Sequence, residues 1–169
     1  MISSFFNLDP ESVLKTCENA GFKPTGLFTQ LNSYENRVFD IQLESSPSSP
    51  FQNIIAKFYR PERWSPESIL EEHQFLKELN EAEIPSLNPI ILPNGSTLID
   101  SSGISVAFFP KFRGRMPQEL TLPDLNRIGQ LFARVHNVGA KSIAQHRPVM
   151  DSSYYGSWET LDLLDSWVV

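Results

Sequence analysis

Apolar and polar residues follow two different periods along the chain, and each period predicts a kind of element. Residues 27–31 and 39–43 alternate at every position, which is typical of strands in a half-buried sheet. The residues that share one side are Leu27, Thr29 and Leu31 in the first strand and Phe39, Ile41 and Leu43 in the second. The polar residues 32–36 predict a hairpin loop, which is either an ordinary turn or a loop whose Ser33 hydroxyl and backbone amides face an anion.

The next strand carries a lysine in an apolar setting. In residues 53–59, Ile54, Ala56 and Phe58 point to one side, and Lys57 points to the other. Burial of an ammonium group is costly unless an acid pairs with it. Lys57 is therefore expected to have a partner, and the alternative is a lysine that snorkels to solvent at the margin of the sheet.

The following helix supplies an acid for this lysine. Ser65 and Pro66 predict an N-cap and a proline in the first helical position. Apolar side chains then recur at helical spacing, and Glu72 falls within their stripe, whereas Glu71 falls on the solvated face. We expect an ion pair between Lys57 and Glu72, and the alternative is a Glu72 that is exposed at the edge of the stripe.

Further helices and strands are predicted before and after these segments. A short first helix is expected between the N-cap Asp9 and the terminating Gly21. Residues 90–99 predict a hairpin around an Asn-Gly turn, and residues 104–109 predict a strongly apolar strand.

The pattern then changes from strand to helix. Residues 111–117 are a basic connector, and Thr121 is the expected N-cap of a helix. A last amphipathic helix is expected around Trp158. The helix that begins after Thr121 has one apolar stripe that is predicted to be buried. The stripe consists of Leu125, Ile128, Phe132 and Val135. Among the histidines, His136 is expected to pack or cap at the end of this helix, and His73 and His146 are expected to be structural or exposed.

Composition narrows the possible functions. The chain has 169 residues and 40% hydrophobic content, enough for a core, and its formal net charge of -6 disfavours nucleic acid and anionic membranes as partners. Cys17 is the only cysteine, which excludes an internal disulfide and suits a reducing cytosol. We expect no signal peptide, and no apolar window reaches the roughly 20 residues that could span a membrane. A cytoplasmic location is therefore expected.

Three segments together resemble one kinase family. Residues 31–39, 57–64 and 69–75 are closely similar to the bacterial stress response kinase A family, and residues 109–115 are similar to its hinge. Members are cytoplasmic serine/threonine protein kinases with a fold like choline kinase and aminoglycoside phosphotransferase. The resemblance covers about residues 27–148 and implies the N-terminal portion of such a kinase.

The fold implied by this resemblance is α+β. It is a protein-kinase-like small lobe, with a five-stranded antiparallel sheet and one helix, followed by the first helices of an incomplete helical large lobe. The implied segments are an N-terminal helix (1–24), the small lobe (25–110), the hinge or linker (111–117) and the start of the truncated large lobe (118–169). The resemblance also implies that the full-length protein is a monomer.

The resemblance also implies ATP and Mg²⁺ as cofactors. Ser33 would lie near the phosphates, Lys57 would hold the α- and β-phosphates, and Glu72 would orient Lys57. The backbone around Phe109 to Lys111 would meet the edge of the adenine.

One part of the family pattern is absent from these residues. Members carry a His-Gly-Asp…Asn catalytic loop and a later metal-binding aspartate, but the histidines here are followed by Gln74, Asn137 and Arg147. We therefore assign no catalytic or metal-binding residue and predict that this chain alone transfers no phosphate. The alternatives are a fragment of a small-molecule kinase of the choline, aminoglycoside or homoserine type, and a non-catalytic binding or regulatory module.

Overall fold

Three helices and five strands make up the elements of the described residues. The computed structural model describes residues 5–6, 8–46, 50–114 and 119–149. In chain order, the elements are α1 (Pro10–Asn19), β1 (Pro24–Leu31), β2 (Arg37–Leu43), β3 (Asn53–Phe58), α2 (Pro66–Glu81), β4 (Ile99–Ser101), β5 (Ile104–Pro110) and α3 (Leu122–Gly139). The helix expected around Trp158 lies outside the described residues.

The five strands form one antiparallel sheet in the order β1-β2-β3-β5-β4. The register assigns the side chains to two faces, because directly opposed residues point to the same side. Phe39, Ala56 and Phe108 are aligned on one face, which we call the core face. Val38, Lys57 and Ala107 are aligned on the other, which we call the site face. The predicted α+β class and five-stranded antiparallel sheet are confirmed.

The core face packs against α1. Val13 and Cys17 of this helix are fully buried with Phe39 and Ile41 of β2 and Phe108 of β5 in the main hydrophobic cluster. Burial raises the pKa of the Cys17 thiol to about 12, so it stays protonated and unreactive at neutral pH. A smaller cluster on the site face contains Ile69 of α2. The sheet therefore has a helix on each side, and α2 is the one that faces Lys57.

Each helix begins where the sequence predicts. The Asp9 carboxylate accepts a hydrogen bond from the Ser12 amide at 2.8 Å, and the Ser65 hydroxyl accepts one from the Ser68 amide at 3.2 Å. Thr121 and Asp124 form a reciprocal capping box at the start of α3. These caps satisfy backbone donors that the first turn of a helix leaves without partners.

The hairpin predicted over residues 90–99 is wrong. The Asn-Gly pair does turn the chain, since Gly95 has a φ of 80° and its amide bonds to the Leu92 carbonyl at 2.8 Å. However, the Ser96 hydroxyl binds the backbone of Leu98 and replaces ladder hydrogen bonds there. The real hairpin joins β4 to β5 through Ser102 and Gly103, whose φ angles of 56° and 83° suit a two-residue turn of type I′.

The alternation in β1 was predicted correctly, but its apolar side is not buried. Phe28 points to the core face opposite Ile41, whereas Leu27 is 65% exposed. Leu31 aligns with Val38 on the site face and is also exposed. The register shifts between Pro24 and Phe28, around Gly26 with its φ of 91°. This bulge changes which residues of the strand face the core.

The stripe predicted to be buried on α3 is also wrong for most of its length. Leu125, Ile128 and Phe132 are exposed, and Phe132 is exposed by 58%. The helix instead packs through its last two turns, where Val138 is buried against Leu79 and Ile84. Among the described residues, α3 contacts the other elements mainly near its C-terminal end, and its first turns are exposed.

Candidate functional site

The central feature of the site face is the predicted ion pair. Lys57 Nζ lies 3.2 Å from Glu72 Oε1, and both side chains are only partly exposed. Lys57 points to α2 because strand residues alternate, and Glu72 points to β3 because it lies one turn after the buried Ile69. The snorkelling alternative for Lys57 and the exposed alternative for Glu72 are therefore both excluded.

The second oxygen of Glu72 is also occupied. Arg147 donates a hydrogen bond to Glu72 Oε2 at 2.6 Å, so this carboxylate lies between two cations. Burial by itself raises the pKa of Glu72, but the charge of Lys57 and the hydrogen bonds from Arg147 and Lys57 outweigh burial. The net pKa is lower than usual, and Glu72 is ionised at neutral pH.

A layer of uncharged side chains supports the lysine. Lys57 Nζ lies 4.3 Å from the centroid of the Tyr59 ring, a cation–π contact. The Tyr59 hydroxyl is 3.1 Å from His73 Nε2, and His73 Nδ1 is 2.8 Å from the Thr97 hydroxyl. Burial lowers the pKa of His73 to about 4, although the negative charge of Glu72 opposes this, so the ring is neutral at pH 7. The expectation that His73 is structural agrees with this network.

The loop that holds Ser33 is tied to the turn after β3. Ser33 lies in the exposed connection between β1 and β2. Arg63 Nε is 2.8 Å from Glu35 Oε1, and the Arg60 amide donates to Asn36 Oδ1 at 3.2 Å. These contacts fix the C-terminal half of the loop on the chain segment that leads from β3 into α2.

The start of the connector also belongs to the site face. Phe109 is aligned with Ile55 of β3, and Ile55 is aligned with Asp40 of β2. Lys111 is two residues after Phe109, so it lies on the same face, and it forms an ion pair with Asp40. Lys57, Phe109 and Lys111 therefore share one face of the sheet, with Glu72 held against it from α2.

Two contributors to the site are missing from the sequence-based prediction. Glu71 was expected on a solvated face, but its carboxylate accepts hydrogen bonds from the backbone amides of Gln145 and His146 at 2.6 and 2.9 Å. Arg147 was named only as the residue that follows His146. Both contacts join residues more than 70 positions apart, so local spacing carries no signal for them.

The described residues offer no set of ligands for a metal ion. No group of three or more His, Cys, Asp or Glu side chains within residues 5–6, 8–46, 50–114 and 119–149 could hold one. We assign no step to a metal ion on these residues. In the same ranges, no helix is both long and apolar enough to cross a bilayer.

The chain is similar in sequence to known proteins. Over 152 residues, or 90% of the chain, the sequence is 35% identical to a protein from Shigella flexneri named stress response kinase A. The chain is similar to stress response kinase A. Over the same length it is 36% identical to the serine/threonine protein kinase RdoA of Salmonella typhimurium. The resemblance predicted from the sequence is confirmed.

The chain matches less than half of the length of stress response kinase A. The chain spans 44% of the length of both of these relatives, and no family model matches it. Among solved structures, the amicoumacin kinase hAmiN in complex with AMP-PNP, Ca²⁺ and Ami has a similar fold, with a TM-score of 0.59. That comparison covers 86% of this chain and 43% of the kinase at 22% identity. It supports a kinase-like small lobe as the fold of the described sheet and helices.

Proposed function

We propose that the site face binds ATP and that the chain is the nucleotide-binding small lobe of a serine/threonine protein kinase similar to stress response kinase A. The observation that carries this proposal is the 3.2 Å pair between Lys57 Nζ and Glu72 Oε1. A lysine held in this way by a helix glutamate presents its ammonium group to the α- and β-phosphates of a nucleotide. The bound AMP-PNP of the kinase with a similar fold supports the choice of ligand.

The surface beside Lys57 suits the other parts of a nucleotide. Leu31 and Val38 are aligned on the site face next to Lys57, and Leu31 is 38% exposed, so an apolar surface is open to a flat base. In this proposal the Ser33 hydroxyl lies near the phosphates, and the backbone from Phe109 to Lys111 meets the adenine edge. Mg²⁺ would be held by residues of the large lobe of the full-length kinase, outside residues 1–169.

The organisation of the chain is part of the same proposal. Residues 25–110 form the small lobe after an N-terminal helix within residues 1–24, residues 111–117 form the hinge, and residues 118–169 begin a large lobe. The full-length kinase to which this part belongs acts in the cytoplasm as a monomer. Because no histidine begins a His-Gly-Asp loop, residues 1–169 alone transfer no phosphate.

Nucleotide affinity of the 169-residue chain tests this function. We expect Lys57→Ala to weaken binding of AMP-PNP, measured by isothermal titration calorimetry, by on the order of tenfold to a hundredfold, because it removes a charge-assisted contact to phosphate. The matched control is Lys77→Ala, since Lys77 is 63% exposed and its ion pair within the described part of the chain is with Glu81 on the outer side of α2. Equal affinities for the two variants, or no binding by the unmodified chain, would contradict the proposal.

A further inference from the structure

Glu71 and Glu72 bind the chain segment that follows α3. We call residues 145–147 the docking segment. The backbone amides of Gln145 and His146 donate to the two oxygens of Glu71 at 2.6 and 2.9 Å. These hydrogen bonds to the backbone hold the pKa of Glu71 below its usual value, so it is a carboxylate at neutral pH. Glu71 thereby ties the docking segment to the outer side of α2.

The docking segment delivers one side chain to the ion pair. Arg147 Nη2 reaches Glu72 Oε2 at 2.6 Å, and the Arg147 guanidinium lies 4.7 Å from the centroid of the Trp64 ring. A guanidinium that stacks on an aromatic ring and binds a carboxylate is fixed in both position and orientation. Lys57 uses the other oxygen, Oε1, so the two cations bind Glu72 together and do not compete for one atom.

The geometry points to Arg147 as a positioning residue that fixes Glu72 in the orientation in which this glutamate presents Lys57 to the phosphates. This inference rests on the proposed nucleotide-binding function and extends it, because it adds a residue from beyond α3 to a site otherwise built from the sheet and α2. Without Arg147, Oε2 would keep no hydrogen bond to another described residue, and the carboxylate could turn away from Lys57. The docking segment would thus couple the chain after α3 to the nucleotide site.

The charge on Glu72 gives a measurement that does not depend on nucleotide. The charged or titratable groups that face Glu72 are Lys57 of β3, Tyr59 after β3, His73 of α2 and Arg147. Removing Arg147 takes away a cation and a hydrogen bond, so the pKa of Glu72 must rise. This pKa can be followed by ¹³C NMR of the glutamate carboxyl groups, with Glu72→Gln to assign the signal.

Arg147→Met is the test variant, because it removes the charge and keeps an unbranched side chain against Trp64. We expect a higher pKa for Glu72 and roughly three- to tenfold weaker binding of AMP-PNP, with the acidic loss of affinity moved to higher pH. Arg147→Lys restores the cation and should recover most of the pKa and part of the affinity. The control Arg127→Met, at an arginine that is 80% exposed on α3, should change neither.

Each outcome decides the inference. An unchanged pKa of Glu72 in Arg147→Met overturns it, and so does a raised pKa with unchanged nucleotide affinity. If the unmodified chain binds no AMP-PNP but the pKa still depends on Arg147, the proposed function fails, and only the contact between Arg147 and Glu72 is supported. Should Arg147→Met not fold, Arg147→Gln carries the same comparison, because it can still hydrogen-bond to Glu72 without a charge.

Discussion

His73 makes the stability of the molecule depend on pH. It is buried with a pKa of about 4, against 6.5 for the free side chain, so the unfolded chain binds a proton more readily than the folded one. This contribution to stability is fully present above pH 6.5 and is lost as the pH falls toward 4. We expect the free energy of unfolding to drop by about 2 kcal/mol between pH 7 and pH 5, measured by urea denaturation.

The matched comparison is between His73→Gln and His136→Gln. His136 lies exposed near the end of α3, where its ring is 6.4 Å from the Phe132 ring. Substitution of His73 should flatten the pH dependence between pH 5 and 7 more than substitution of the exposed His136 does. An unchanged slope in His73→Gln would show that another group carries the proton.

Single residues were predictable from the sequence where their cause is local. Lys57 and Glu72 were found because strand alternation and helical spacing put each of them on an apolar side where a lone charge is costly. Arg147 and Glu71 were missed because their partners lie in distant parts of the chain. The burial of His73 has the same origin, since its hydrogen bond to Thr97 crosses 24 residues. Periodicity indicates that a buried charge needs a partner, but it does not identify a partner residue that lies in a distant element.

At the scale of elements, the sequence predicted the helix N-caps and the alternation of strand residues correctly. It was less successful in predicting which face of a strand or helix is buried. The N-caps Asp9, Ser65 and Thr121 lie where predicted because a cap is set by residues within one turn. The faces of β1 depend on a bulge near Gly26 that shifts its register against β2. The hairpin near Gly95 failed because the Ser96 hydroxyl takes over backbone hydrogen bonds. Competition between side chain and backbone is not visible in a pattern of apolar positions.

The orientation of β1 gives a paired prediction for neighbouring residues. Phe28 packs edge-on against Phe39, with ring centroids 5.9 Å apart, whereas Leu27 is exposed on the opposite side. We expect Phe28→Ala to lower the free energy of unfolding by roughly 2–4 kcal/mol, because it leaves a cavity beside the core face. Leu27→Ser should change it by less than about 0.5 kcal/mol. Thermal and urea unfolding followed by circular dichroism would distinguish the two, and a reversed order would mean that the strand faces the other way.

For the whole molecule, apolar surface that is open to water decides whether the chain self-associates. The structure contains such a surface among its described residues. Large apolar side chains on α3 are exposed in a row: Leu122, Leu125, Ile128, Leu131 and Phe132. A contiguous row of this kind promotes self-association in water. The apolar stripe of α3 was therefore predicted correctly as a pattern, but its burial was wrong for most of its length among the described residues.

Removing this row should separate association from folding. We expect the combined variant Leu125→Gln, Ile128→Gln and Phe132→Gln to lower the average mass of the chain toward 19.2 kDa in sedimentation experiments, because these side chains contact solvent and not the core. Its melting temperature should change by only about 2 °C or less, since surface substitutions cost little. Val138→Gln is the control, because Val138 is buried between α3 and α2 and its substitution should lower the melting temperature clearly. A sharp, concentration-independent melt of an unmodified monomer would show that the row does not drive association, and then the exposed face of α3 would have to be stable in water as it stands.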